Sequence, residues 1–129
     1  MRQVDAQQLH ACARDRAQEL PASSGGFPFG PDHEVFKVCG KVFLLMTELS
    51  GVPVATLKAD PADAELLRGA HEDITPGYHM NKRHWVTVRP GGPVDESLLR
   101  DLVTESYLLV VQRLPRDQQP VDPESFGRG

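Results

Sequence analysis

The stretch EVFKVCGKVFLLMTELSGVPVATLK, residues 34–58, decides the fold. It is dense in β-branched and aromatic residues and is cut by two short breaks, the pattern of strands joined by tight turns. Glu34–Cys39 is expected as one strand, Gly40 and Lys41 as a turn, and Val42–Glu48 as a second strand. Ser50, Gly51 and Pro53 mark another turn. Val54–Lys58 follows as a third strand, with Pro53 at its start, where a missing N–H is tolerated. Links this short make the strands antiparallel neighbours.

Upstream, residues 4–20 read as a helix, because Leu9, Cys12, Ala13, Ala17 and Leu20 recur at spacings of three and four. Asp5 can cap it, with Gln8 in a box-like place, and Pro21 stops it. Ala22–His33 reads as a Ser-, Gly- and Pro-rich loop whose Phe27 and Phe29 fold back onto the core. Downstream, Asp60 and Pro61 open a second helix, a capping residue followed by proline in the first turn. Leu66 and Leu67 form its buried side and Gly69 ends it. Residues 70–76 read as a connection, and Tyr78–Met80 and His84–Arg89 as two short strands. From Asp95 to Leu114, Leu99, Leu102, Val103, Val110 and Leu114 hold a helical stripe with Ser106 at a small position.

The expected order is α-β-β-β-α-β-β-α, an α+β fold with helices at both ends of an antiparallel sheet of about five strands. Such a sheet can bury one face under helices and leave the other wet. The domain spans residues 1–114, and the Pro-rich tail, 115–129, is expected to lack fixed structure.

A chain of 129 residues suits one domain and is too short for separate cofactor and substrate lobes. Its formal charge of −4 speaks against a strongly basic nucleic-acid binder, since affinity for a phosphate backbone is largely electrostatic. Two cysteines, Cys12 and Cys39, are too few for a disulfide scaffold and are expected as buried, inert thiols. No apolar run approaches the roughly 20 residues that span a bilayer. Met1–Leu20 is polar and charged, without an apolar signal-peptide core. A soluble cytoplasmic protein, with no membrane association, is expected.

Catalytic patterns are missing. His33, His71, His79 and His84 do not form the helical pair of a metalloprotease, and no cysteine pair completes a zinc site. Ser23 and Ser24 before two glycines are neither a nucleophile elbow nor a phosphate loop. The carboxylate pair Asp95-Glu96 starts a helix, and Glu72-Asp73 sits in a link. No enzyme activity, cofactor or metal is expected.

Residues 76–88, PGYHMNKRHWVTV, carry the strongest functional signal. Tyr78, His79, Asn81, Lys82, Arg83, His84 and Trp85 are crowded into one short strand pair. Two adjacent cations beside aromatic and amide groups suit contact with phosphates and bases. Lys37, Lys41 and Lys58 can extend that positive surface, because Lys37 and Lys41 flank the Gly40 turn. Equally, Lys82 and Arg83 can be a solvated tip. Trp85 is expected as a core anchor.

Together, FPFGPDHEVFKVCGKVF (27–43) and PGYHMNKRHWVTV (76–88) resemble the MmcQ/YjbR family of small bacterial proteins, over roughly residues 5–114. The resemblance implies an α+β fold similar to the CyaY-like and secretion-chaperone arrangement. That fold has been described as a double wing whose sheet hairpins bind DNA. It implies a DNA-binding protein with Lys37, Lys41, Lys58, Asn81, Lys82, Arg83, His84 and Trp85 at the interface, and it brings no catalytic residues. Between residues 33 and 90, seven basic and seven acidic residues cancel, and most of the acids sit in or beside the second helix. DNA binding is therefore expected to be weak and salt-sensitive. The alternative is a chaperone-like module that binds a protein partner through the same face or a dimer interface. A third reading places a small ligand between Tyr78, His79 and Trp85.

Overall fold

The computed structural model of the chain describes residues 5–28, 30–77, 84–92 and 94–126. Among them are three α-helices and a six-stranded, wholly antiparallel sheet. The elements are α1 (Leu9–Glu19), β1 (Ser23–Gly26), β2 (Glu34–Val38), β3 (Lys41–Leu49), β4 (Val52–Lys58), α2 (Pro61–Ala70), β5 (Ile74–Pro76), β6 (Trp85–Val88) and α3 (Glu96–Gln112). The sheet order is β1-β2-β3-β4-β6-β5.

The meander of β2, β3 and β4 forms as the sequence predicts, with the first turn shifted by one residue and the second tighter. Cys39 and Gly40 have φ of 49° and 81°, and Ser50 and Gly51 have φ of 53° and 80°. Positive φ at both central residues defines the two-residue turn whose twist matches a hairpin. Cys39 therefore leaves the strand and becomes an exposed turn residue, not the buried thiol expected, while Lys41 opens β3. Pro53 is the second residue of β4 and faces Glu48.

One strand lies where a loop is expected. Ser23–Gly26 pairs with β2 from Ser23↔Val38 to Gly26↔Val35. A side chain at Gly25 would put its Cβ 2.6 Å from the Phe36 ring. The glycine thus lets β1 lie close against a buried aromatic, so this strand is selected by steric allowance and carries no apolar pattern. Phe27 is 54% exposed and does not fold back, and Phe29 lies outside the described residues.

Helices α2 and α3 start where their caps place them, whereas α1 begins at Leu9, later than the expected residue 4 and with no side-chain cap. Asp60 accepts from the Ala62 N–H at 3.0 Å, and Asp95 from the Leu98 N–H at 2.8 Å. Asp5 accepts from Gln7 and Gln8, forming a turn that leads into α1. In α2 the buried position is Ala64, with Leu67 half-buried, whereas Leu66 is 70% exposed. Leu66 sits one residue, about 100°, away from the Ala64–Leu67 line. Gly69 stays inside α2, which ends at the extended His71. The expected connection before residue 77 holds β5, and the expected strand 78–80 lies outside the described residues.

Helices α1 and α3 cover one face of the sheet. Phe36, Leu44, Leu57 and Val86 form one inward row, and Met46, Ala55, Val88 and Ile74 another, all within the main core. Phe43 and Tyr107 pack edge to face at 5.4 Å, and the Tyr107 hydroxyl donates to the Pro21 carbonyl at 2.6 Å. Beyond Leu114, where no fixed structure is expected, residues 116–118 form a 3-10 turn and Phe126 stacks 6.1 Å from Tyr107.

Candidate nucleic-acid interface

The register assigns every strand residue to a face. Pairs Phe36↔Leu44 and Lys37↔Val42 leave Phe43 as an extra residue, a bulge in β3. On the other side of β3, where pairing with β4 ends at Leu44↔Leu57, Ser106 on α3 bridges the two strands. Its hydroxyl donates to the Phe43 carbonyl and accepts from the Lys58 N–H at 2.8 Å.

The face turned away from the helices has an apolar and hydroxyl centre. One row across it reads Val35, Leu45, Thr56, Thr87 and Thr75. Thr56 and Thr87 are buried and share a hydroxyl hydrogen bond of 2.9 Å. Val35 and Val54 are buried on this side too, outside the main core cluster. The face is therefore less wet than expected at its centre.

Its charged positions gather at one end. Lys37 and Lys58 both lie in the row beyond Phe36–Leu44–Leu57–Val86, on the outer side, and Lys58 faces Trp85 across the β4–β6 ladder. The Lys58 ammonium sits 6.0 Å from the Trp85 ring centroid, a cation–π contact. Burial, then the nearby Arg113 charge, lowers the Lys58 pKa from the ordinary lysine value. Trp85 is half-buried on the outer face and is not the core anchor expected.

The β2–β3 turn leaves from this same end, since Val38↔Lys41 closes that hairpin. So does the connection from β5 to β6, which leaves Pro76 and returns at Trp85. Two hairpins thus flank the end of β4. Gly77 lets the two arms of the β5–β6 hairpin come close: a Cβ there would fall 2.6 Å from that of Trp85.

The register separates two residues that the sequence joins. Lys41 pairs with inward-facing Val38, so Lys37 and Lys41 project to opposite faces despite flanking one turn. His84 is half-buried and lines a cavity with Lys58, Asp60 and Arg113. Asn81, Lys82 and Arg83 lie outside the described residues, as do Tyr78 and His79 of the small-ligand reading. Arg113, just past the end of α3, is a cation that the sequence does not connect with this site. Its nearness to Lys58 depends on how α3 crosses the sheet.

The acids are elsewhere. Glu34 has inward parity and is bound by Arg14 of α1, Nη2 to Oε1 at 2.6 Å. Glu48 has inward parity and is exposed beside the Ser50–Gly51 turn. No outward strand position among the described residues holds a carboxylate. The described residues include no group of three or more His, Cys, Asp or Glu placed to hold a metal, and no helix long and apolar enough to cross a membrane.

Residues 18–109 match the family model described as YjbR. The chain is 49% identical over 121 residues to a protein of Escherichia coli O157:H7 named "Uncharacterized protein YbdF", covering 93% of this chain and 99% of that one. It is 39% identical over 83 residues to "Uncharacterized protein YjbR" of Escherichia coli strain K12, covering 64% and 70%. Among solved structures, the Deinococcus radiodurans protein DR2400, domain DUF419, superposes with a TM-score of 0.76 at 38% identity, covering 90% of this chain and 86% of that one.

Proposed function

The chain belongs to the YjbR family, and on that premise we propose that it binds DNA, without catalysing a reaction, through the outer face of the sheet between its two hairpins. The observation that carries this reading is the charge sorting of the strands. Outward positions hold Lys37 and Lys58 and no carboxylate, although the chain as a whole is acidic at −4. Phosphates need cations that are free of competing acids, and this face supplies them. In the sequence Lys82 and Arg83 fall between β5 and β6, and this reading counts them as two more contacts.

About four phosphate contacts give a slope of roughly −3.6 in log affinity against log salt, or about a hundredfold loss between 50 and 200 mM. Fluorescence anisotropy with a labelled duplex measures it. The double variant Lys37→Ala/Lys58→Ala is expected to weaken binding and flatten the slope. No binding at about 50 mM salt, or an unchanged slope in the variant, defeats the proposal. The apolar residues of the same face, with Val52 exposed and Leu45 and Leu49 half-buried, favour a second reading as a protein-binding surface. A stoichiometric protein complex that survives nuclease and is lost on Leu45→Lys would replace the first reading with the second.

A further inference from the structure

Helix α2 stands off from α3 and leaves a cleft of about 370 Å³ between them, floored by the sheet. The volume lies within the range of small-molecule sites, about 300–1,000 Å³. Its floor is Leu57 and Val86, and its walls are Leu66 and Leu67 of α2 facing Leu98 and Leu102 of α3. Leu66 is 70% exposed, an unusual state for a leucine on a helix that borders an apolar cleft. The rim has one sign on both sides: Asp63 on α2 and Asp101 on α3 are exposed there. Among the described residues of the lining the one cation is Lys58, which holds its ammonium over the Trp85 ring.

We propose that this cleft is a binding site for a small cationic amphiphile, with an aliphatic body against the leucines and an ammonium head between Asp63 and Asp101. An apolar floor gains from burying an alkyl chain, and paired rim carboxylates prefer a cation over an anion of the same shape. The cleft shares Lys58 with the outer face, but its occupancy is measured without DNA.

The probe is n-decylammonium below its micelle concentration, with n-decanoate as the same body bearing the opposite charge. Titration calorimetry is read alongside amide chemical shifts of the full chain. Decylammonium is expected to bind saturably at one site, with shifts centred on Leu66, Leu67 and Leu102. Decanoate is expected to bind at least tenfold more weakly. Shortening the amine chain should cost about fourfold per methylene. Asp63→Asn with Asp101→Asn should bring amine and carboxylate to within about threefold of each other. Leu66→Ser, at an exposed position, should keep the melting temperature and lose at least fivefold in affinity. No saturable binding, equal affinity for decanoate, or indifference to Leu66→Ser overturns the proposal. So does binding of a helical Leu/Lys peptide in this cleft when decylammonium fails, which would make a protein segment the occupant.

Discussion

Ser106 shows how one hydroxyl can hold a sheet to a helix. The β3–β4 pairing ends at Leu44↔Leu57, and beyond it the fully buried Ser106 bridges the Phe43 carbonyl and the Lys58 N–H. Ser106→Ala is expected to strand a buried carbonyl and a buried N–H and to destabilise the protein by about 1–3 kcal/mol. Urea unfolding should show a lower midpoint at unchanged slope. Two other buried groups set the alkaline limit. Burial, followed by the Glu96 charge, pushes the Cys12 thiol up to about 11 from 9.0, and burial, followed by Cys39, pushes the Tyr107 phenol up to about 12 from 10.0. Both are neutral when protonated, so the unfolded chain ionises first and binds fewer protons above pH 9. Their stabilisation is therefore complete below about pH 9 and is lost progressively as pH rises through about 11 and then 12. Melting temperatures between pH 8 and 12 should fall, and Tyr107→Phe should remove the upper part of that fall.

At the level of elements, the hairpins are defined by backbone conformation as much as by composition. Ser50 at φ 53° sits where asparagine is preferred before glycine. Ser50→Asn is expected to stabilise by up to about 1 kcal/mol, a rise of about 2–5 °C in melting temperature. Gly25→Ala acts in the opposite sense. Its Cβ would meet the Phe36 ring at 2.6 Å, and overpacking of that kind costs about 1–3 kcal/mol. Gly25 also explains why β1 is not legible in the sequence. The segment SSGG has neither alternation nor β propensity, and its strand exists because a bare backbone fits beside Phe36. The meander from Glu34 to Lys58 and helix α3 are legible because alternation and a helical stripe each run long enough to fix one period. In α2, the short run with Leu66 beside Leu67 allows two buried faces, and the sequence alone favours the wrong leucine.

For the whole molecule, the decisive quantity is which face each charge occupies. The candidate lysines are readable as residues, but their grouping depends on the pair that closes the β2–β3 hairpin and on one extra residue in β3, which no local pattern announces. Composition alone joins Lys37 and Lys41 into one patch, but the Val38↔Lys41 closure of the hairpin puts them on opposite faces. The bulge then brings Lys37 onto the same face as Lys58, the face without carboxylates, while Lys41 stays on the side where Glu34 and Glu48 lie. If duplex DNA lies on the outer face, only charges on that face displace counterions. Lys37→Ala should then reduce the slope of log affinity against log salt by about 0.9, and Lys41→Ala should leave it within measurement error. Anisotropy titrations of the two variants between about 25 and 150 mM salt separate these outcomes. Equal losses in both would mean that the duplex meets the hairpin tips end-on. In that case the sorting of charge by face, which carries the proposed function, would not be what the DNA reads.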